Sequence, residues 1–314
     1  MYRNSLPQLG GDLFITDGGL ETTLIFADGL ELPQFAAFDL LKSDNGRSVL
    51  RKYFETYTEL ASKFDLGLVL ETATWRSNPD WGTKLGYDAN ALSEANIAAV
   101  QLVADIRDQS TSQKPIVISG CVGPRGDGYV PDAIMTDLQA EEYHHDQIET
   151  FSKTEADLVT AVTMNYCDEA IGITRAAKSA NMPVVVSFTV ETDGQLITGR
   201  TLEDAIKCVD DATDGYVSYF MINCAHPTHF DHAITNNAPW TSRIRGLRAN
   251  ASRLSHSELD EATELDAGNP EQLGNEYAQL ITNQLTDLRI VGGCCGTDHR
   301  HVEQIAKSCL PIFQ

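Results

Sequence analysis

The sequence lacks the features that mark a membrane, secreted or nucleic-acid-binding protein. No run of about 18 apolar residues occurs in its 314 residues, so no membrane-spanning helix is predicted. The segment from Met1 to Ser5 contains no apolar region of the kind that a signal peptide needs. Basic residues are scarce, 23 against 45 acidic ones, and the net charge of −22 repels nucleic acid and anionic membranes. We therefore expect a soluble, cytoplasmic protein without a nucleic-acid or membrane partner.

The chain also lacks the cysteine arrangement of a disulfide-stapled protein. Its seven cysteines are an odd number in a long chain, which disfavours a disulfide framework. The adjacent Cys294 and Cys295 could form a strained vicinal disulfide, which we expect as oxidative damage more readily than as the native state. Burial as small apolar side chains is expected for four others: Cys121, Cys167, Cys208 and Cys309.

Short apolar runs alternate with helix-length amphipathic segments along the whole chain. Several of the runs are rich in Val and Ile, as strands buried on both faces tend to be. Eight strand–helix units predict a (β/α)8 barrel, with a doubly wound open sheet as the alternative. No linker or internal repeat divides the chain, so residues 1–314 are predicted to be a single domain. The predicted strands are Leu13–Thr16, Leu66–Leu70, Ile116–Ser119, Leu158–Thr163, Val184–Val190, Ser218–Ile222, Ile244–Ala249 and Leu288–Gly292.

A barrel carries its functional residues at the carboxyl ends of its strands. In this chain, residues with useful chemistry follow most of the predicted strands, which fits that rule. They are Asp17-Gly18-Gly19 after the first strand, Glu71 after the second, Glu191 after the fifth, Asn223-Cys224 after the sixth and Cys294-Cys295 after the eighth.

Three of these cysteines indicate a metal site. Cys224 follows the sixth strand, and Cys294 and Cys295 follow the eighth, so only the seventh strand separates them in a barrel. Gly293 and Gly296 allow the tight turn that both adjacent thiols need in order to face one ion. Three thiolates with an open fourth position are typical of catalytic rather than structural zinc. A supplementary histidine ligand stays open, with these candidates: His226, His229, His232, His299 and His301.

The motifs at the strand ends resemble a known family. Three segments are similar, in order and strand position, to the signature of the homocysteine S-methyltransferase family: Asp17-Gly18-Gly19-Leu20-Glu21-Thr22, Asn223-Cys224 and Gly292-Gly293-Cys294-Cys295-Gly296. The similarity extends over a core of about residues 12 to 308. It implies a barrel in which Cys224, Cys294 and Cys295 bind Zn²⁺, and it implies methyl transfer to a thiol.

The resemblance also implies two small-molecule partners, a thiol acceptor and a methyl donor. Asp17 and the backbone amides of Gly18 and Gly19 would hold the amino-acid part of the acceptor, homocysteine, which becomes methionine. Asn223 is expected to orient the metal ligands. Zinc keeps a thiol, whose ordinary pKa is about 8.5, deprotonated at pH 7. A free sulfonium donor is favoured, S-methylmethionine or S-adenosylmethionine. A homo-oligomeric state is left open.

One position departs from the family pattern. Many members carry a glutamate at the end of the fourth strand that binds the ammonium group of the acceptor, and this chain has Val162 there. A valine cannot bind a cation, so we expect Glu71 or Glu191 to take over that role. The alternative is a different thiol acceptor, or one without an amino group. Three aromatic side chains in predicted loops are candidates for cation–π contact with a sulfonium: Trp75, Trp81 and Tyr129.

Two further function classes stay open. A zinc hydrolase would activate a water, but catalytic hydrolases favour histidine and carboxylate ligands over three thiolates. A zinc- or thiol-binding barrel without catalysis is the second alternative, and Val162 supports it. No Gly-rich segment has the spacing of a dinucleotide or phosphate loop.

Overall fold

The computed structural model describes residues 1–131, 134–235 and 238–313, and its strands form a closed parallel barrel. Each strand pairs with the next along the chain, and β1 also pairs with β8. The predicted (β/α)8 fold is therefore confirmed, and the alternative open sheet is wrong. The strands are β1 (Phe14–Ile15), β2 (Gly67–Glu71), β3 (Ile116–Val122), β4 (Leu158–Met164), β5 (Val184–Phe188), β6 (Tyr219–Asn223), β7 (Ile244–Ala249) and β8 (Ile290–Gly293).

Helices connect the strands and pack on the outside of the barrel. Within the described residues, no helix combines the length and the apolar character needed to cross a membrane. The α-helices are α1 (Leu20–Thr22), α2 (Asp44–Phe64), α3 (Pro79–Lys84), α4 (Ala89–Gln109), α5 (Asp137–Ser152), α6 (Cys167–Ser179), α7 (Leu202–Thr213), α8 (Pro227–Phe230), α9 (His256–Asp260), α10 (Pro270–Asn283) and α11 (His299–Cys309). Short 3-10 helices lie at Pro7–Leu9, Pro33–Phe35, Ala37–Lys42, Asp231–Ala233, Pro239–Arg243 and Leu310–Ile312, and a π-helical turn at Thr23–Ala27.

The second helix illustrates how local sequence positions a residue at the site. The Ser43 side chain accepts a hydrogen bond from a backbone amide in the first turn of α2. Asp65 ends the helix in the left-handed conformation, with φ 53°. Between these ends, an apolar stripe buries Tyr53 and Tyr57 against the barrel. The hydroxyl of Tyr53 donates to the Asp17 carboxylate at 3.1 Å. The helix therefore supports a residue at the end of β1.

Packed side chains fill the barrel on the side of the strand N-termini. Inward-facing residues such as Val69, Val117 and Val185 form an apolar cluster in which they are at most 3% exposed. The N-terminal segment packs against this cluster through Leu6, which contributes a buried side chain to it. The candidate site residues lie at the opposite end, where the strands finish.

Candidate metal centre and substrate cavity

The three predicted metal ligands lie together at the carboxyl ends of β6 and β8. The sulfur atoms of Cys224, Cys294 and Cys295 all lie within 4.8 Å of one another, and those of Cys224 and Cys295 are 3.9 Å apart. Zinc–sulfur bonds of about 2.3 Å separate the sulfurs of a tetrahedral site by about 3.8 Å. The arrangement therefore fits three thiolate ligands of a single metal ion.

Two of the histidines considered as additional ligands, His226 and His229, have other partners. His226 lies with Nδ1 2.9 Å from the Thr228 hydroxyl and Nε2 3.3 Å from Glu276, and His229 Nε2 lies 2.9 Å from the carbonyl of Arg253. In the part of the chain that the structure describes, the three cysteines alone form a group with metal-ligand spacing. A metal ion held by these three sulfurs would therefore have a fourth ligand position open.

The electrostatics of the thiol cluster also match a cation. Hydrogen bonds with Cys224 and Cys295 lower the pKa of Cys294. Hydrogen bonding to Cys294 raises the pKa of Cys224, and hydrogen bonding to Cys224 raises the pKa of Cys295. Three thiolates in contact repel one another, so they cannot all ionise unless a positive charge lies among them. A divalent ion held by the three sulfurs would supply that charge.

Strained backbone next to the cysteines is held in place by Asn223. Cys224 has φ 53° and Thr163 has φ 65°, both in the left-handed region that costs a non-glycine residue about 1–3 kcal/mol. The Asn223 side chain accepts from the Thr163 amide (3.0 Å) and the Ser187 hydroxyl (2.6 Å), and it donates to the Thr163 hydroxyl (2.8 Å). Its Nδ2 also lies 3.9 Å from the sulfur of Cys294. Asn223 thus ties β4, β5 and β6 to the thiol cluster, in the position expected of a residue that orients ligands.

The loops after β1 and β8 approach each other closely at Gly19. A Cβ atom at this position would lie 2.6 Å from the Cys294 carbonyl oxygen and 2.4 Å from the Thr22 hydroxyl, so only glycine fits. The Gly19 amide donates to the carbonyl of Thr297 at 3.0 Å. The expectation of two free amides at Gly18 and Gly19 is therefore wrong for Gly19, although both glycines line the cavity described below.

Arg248 in β7 forms a buried ion-pair cluster that the sequence analysis did not anticipate. Its guanidinium donates to Asp17 (2.6 Å), to Glu71, and to the carbonyls of Gly18 (3.2 Å) and Gly293 (3.0 Å). Asp17, Glu71 and Arg248, here called the strand cluster, are at most 7% exposed. The available signal was a basic residue, Arg248, between two apolar residues of a predicted strand.

The charges of the strand cluster depend on one another. Burial raises the pKa of Asp17 and of Glu71, and the positive charge of Arg248 opposes this shift. Burial also opposes the charge of Arg248, but the two carboxylates outweigh that effect and raise its pKa. The guanidinium therefore stays charged inside the barrel and stabilises the ionised form of both acids.

A cavity of about 290 Å³ opens beside the cysteines. The strand cluster and the three cysteines line it, and so does Val162, the position at which the family pattern predicts a glutamate. The volume suits a small molecule. The site predicted from the strand ends is thus a single concave site with thiols and charged groups on its wall.

Loop residues line another part of the same cavity. The loop cluster consists of Trp75 and Arg76 after β2 and of Asp127 and Tyr129 after β3, all of which line the cavity. Arg76 donates to Asp127 at 3.4 Å, and its guanidinium lies 4.6 Å from the ring centre of Trp75 and 3.7 Å from that of Trp81. Trp81 does not line the cavity, so its predicted contact with a sulfonium is wrong, whereas Trp75 and Tyr129 are within reach of a ligand.

Glu191 does not reach the cavity. Its carboxylate accepts from His256 Nδ1 at 2.8 Å, while His256 Nε2 lies 2.7 Å from the carbonyl oxygen of Cys224. The His256 ring also stacks on Tyr129, with ring centres 4.0 Å apart, and the Tyr129 hydroxyl lies 3.6 Å from the sulfur of Cys295. The expectation that Glu191 binds the acceptor is therefore wrong, because β5 ends before this residue and its side chain turns to His256 instead. Glu71 remains a candidate.

Fold and site together define a class of protein, a (β/α)8 barrel with three thiols at metal-ligand spacing on the wall of a small-molecule cavity. A family model described as homocysteine S-methyltransferase matches residues 14–309. The chain belongs to this family.

The curated relatives are distant in sequence. The chain is 21% identical over 264 residues to betaine–homocysteine S-methyltransferase 1 from Rattus norvegicus, an alignment that covers 77% of this chain and 61% of the relative. It is 21% identical over 282 residues to homocysteine S-methyltransferase 2 from Saccharomyces cerevisiae, covering 84% of this chain and 82% of that protein. The chain thus spans less than two thirds of the length of the mammalian relative.

A solved structure shares the fold. The metallated form of the homocysteine methyltransferase MmuM from Escherichia coli superimposes with a TM-score of 0.71 at 18% identity, over 94% of this chain and 96% of that one. The oxidised form of the same protein gives a TM-score of 0.72 at 17% identity, over 95% and 96%. At this identity, the similarity shows a common barrel.

Proposed function

We propose that the protein is a zinc-dependent S-methyltransferase that transfers a methyl group from a small sulfonium donor to the thiolate of homocysteine, giving methionine. The observation that carries the proposal is the group of three sulfurs from Cys224, Cys294 and Cys295 on the wall of a small-molecule cavity. Membership of the homocysteine S-methyltransferase family supports the choice of acceptor. A location in the cytoplasm, a role in methionine biosynthesis and a homo-oligomeric state remain predictions.

The three cysteines would hold the zinc ion, and a metal at this position would lower the pKa of an acceptor thiol. The residues of the chain then position the two substrates, since no general base is needed once the thiol is ionised. The acceptor sulfur forms a bond to the methyl carbon while the bond from that carbon to the donor sulfur breaks. The donor sulfonium leaves as a neutral thioether, so atoms and charge balance. Alignment of the two sulfurs with the methyl group and exclusion of water are the remaining requirements.

The cavity wall offers binding groups for both substrates. Asp17 and Glu71 line the cavity and are the acids that we propose for the ammonium group of the acceptor, where Val162 offers none. Trp75 and Tyr129 present aromatic rings in the same cavity, and aromatic faces attract a sulfonium or quaternary ammonium group. S-methylmethionine and S-adenosylmethionine are the donors that we favour.

The test is the zinc content of reduced protein together with methyl transfer to homocysteine. We expect about one zinc ion per chain, as one tetrahedral site requires, and new methionine with S-methylmethionine, S-adenosylmethionine or betaine as the offered donor. Betaine is included because it appears in the names of the mammalian relatives. Zinc without methionine would contradict homocysteine as acceptor and direct the search to other thiols. Absence of zinc even after reconstitution would contradict the metal centre itself.

A further inference from the structure

Arg76 and Arg248 line the cavity, and they differ in how many of their guanidinium N–H groups donate a hydrogen bond within the protein. Arg248 donates to two carboxylates and two carbonyls, as described above. Arg76 makes a single hydrogen bond, from Nη2 to Asp127, at the long distance of 3.4 Å. Among the residues that the structure describes, no group accepts a hydrogen bond from Arg76 Nε, which is buried. Arg76 is therefore the arginine with capacity left for a ligand.

Neighbouring side chains fix the position of the Arg76 guanidinium, although its Nε has no hydrogen-bond acceptor within the described residues. The side chain is only 8% exposed, and the rings of Trp75 and Trp81 lie 4.6 and 3.7 Å from it. Trp75 is itself held by the loop after β3, because a Cβ at Gly123 would lie 2.1 Å from the Trp75 carbonyl oxygen and one at Gly128 would lie 2.9 Å from its ring. A planar donor fork whose orientation is set in advance binds a carboxylate with little further loss of entropy.

The charge of Arg76 also calls for an anion. Burial lowers its pKa, and Asp127 offsets only part of that shift. An arginine placed there only for structure would be expected to form close contacts with its acid, as Arg248 does. The acids Glu21 and Asp260 also line the cavity near this arginine and offer places for an ammonium group. The ligand that matches both signs of charge is an α-amino acid, with its carboxylate on Arg76.

We propose that Arg76 is a specificity-determining residue that binds the carboxylate of an amino-acid substrate in the cavity. This inference rests on the proposed function for the identity of the two substrates, and it adds the group that recognises one of them. Both homocysteine and S-methylmethionine carry such a carboxylate, so the shared chemistry is what the structure assigns. The experiment distinguishes the two sources.

The test compares acids with the corresponding amides in binding to zinc-loaded protein. Isothermal titration calorimetry measures homocysteine against homocysteine amide, and S-methylmethionine against its amide. Loss of a charge-assisted hydrogen bond corresponds to about tenfold to a hundredfold in affinity. We therefore expect the wild-type protein to prefer the acid by at least about tenfold in one of the two pairs, and that pair identifies the substrate that Arg76 holds. In Arg76→Gln the preference should disappear because the acid loses affinity and the amide does not.

The matched control is Arg125→Gln. Arg125 belongs to the same loop as Asp127 and stacks on Tyr143, 4.7 Å away, but it pairs with Asp80 outside the cavity lining. This variant should keep the acid preference of the wild-type protein. Zinc content and thermal unfolding of both variants check that the barrel is intact.

Several outcomes would overturn the assignment. Equal affinity of wild-type protein for acid and amide in both pairs, no binding of either pair, or a preference that survives Arg76→Gln would each do so. The wild-type comparison varies only the ligand and so does not depend on the folding of a variant. Failure of the methyl-transfer step alone gives a different result, because methyl transfer would then be absent while the acid preference in binding persists.

Discussion

The strand cluster and the loop cluster line one cavity, but they are built in different ways. In the strand cluster, Arg248 contacts both acids and two carbonyls, and each charged residue lies in a barrel strand or within two residues of its end. In the loop cluster, Arg76 has one long bond to Asp127 and depends on tryptophan rings for its position. Barrels commonly combine rigid strand ends with variable loops. We infer that the strand cluster organises the reaction site and the loop cluster selects the substrate.

The proposed metal centre lies at the strand ends, and its loss should produce the largest effect. Cys294→Ser is expected to lower metal occupancy and to reduce methyl transfer by more than about a hundredfold, because loss of outer partners of metal ligands alone costs up to that much. Metal analysis and initial rates on reduced protein measure both quantities. Cys208→Ser in α7, away from the thiol group, should keep metal and activity. Full activity in Cys294→Ser would contradict the zinc-thiolate mechanism.

Removal of each arginine tests the difference between the clusters directly. Arg248→Met leaves Asp17 and Glu71 buried without a counter-charge, so the free energy of unfolding at pH 7 should fall by about 3–5 kcal/mol. Arg76→Met removes one long ion pair and the aromatic stacking, and should cost about 1–2 kcal/mol. Urea unfolding at pH 7 measures both losses. Equal losses would contradict the distinction between an organising and a selecting cluster.

The pH dependence of the Arg248→Met protein has a defined sign. Without the guanidinium, the pKa values of Asp17 and Glu71 in the folded state rise further above their unfolded values. The folded state then binds more protons than the unfolded state, so stability is gained as the pH falls and lost as it rises. The deficit of this variant relative to wild-type protein should therefore shrink between pH 7 and pH 5 in the same urea measurement.

Substitution of the two glutamates proposed from the sequence, Glu71 and Glu191, should have different effects on the KM for homocysteine. Glu71→Gln is expected to raise the KM for homocysteine by about tenfold, because Glu71 lines the cavity and is a candidate partner of the ammonium group. Glu191→Gln is the matched control, since Glu191 contacts His256 and not the cavity. Its KM should stay close to the wild-type value. An unchanged KM in Glu71→Gln would remove this residue from acceptor binding.

The sequence predicted the barrel and the thiol group because both leave local signals. Eight apolar runs in one chain indicate strands, and Gly-flanked adjacent cysteines indicate a tight turn at a strand end. The strand cluster was missed because its contacts are distant in sequence: Arg248 meets partners 231 and 177 residues away. The role of Glu191 was wrong because β5 ends at Phe188, two residues earlier than predicted. Strand existence is set by local pattern, whereas strand ends and side-chain partners depend on the assembled barrel.

The smallest effect should come from Glu21, a half-buried acid that lines the cavity. Burial raises the pKa of Glu21 to about 7. The side chain is therefore mostly neutral at pH 6 and mostly negative at pH 8, and a cationic donor should bind more tightly at the higher pH. We expect the donor KM to fall about threefold from pH 6 to pH 8, since a partly solvated charge contributes little. Glu21→Gln should lose this dependence, and Glu31→Gln, at an exposed position that does not line the cavity, should keep it.

The free energy of unfolding tests Glu21 independently, because its substitution should raise stability at pH 8 while it weakens donor binding. A carboxyl group whose folded pKa is raised stabilises the fold below its unfolded pKa, and this contribution is lost as the pH rises through about 7. Glu21→Gln should therefore be more stable than wild-type protein at pH 8, although its donor binding there is weaker. A variant that loses both stability and binding at pH 8 would show that Glu21 supports the fold. Higher stability together with weaker donor binding in Glu21→Gln at pH 8 would show that the charge of Glu21 serves ligand binding. We infer the same role for the loop cluster.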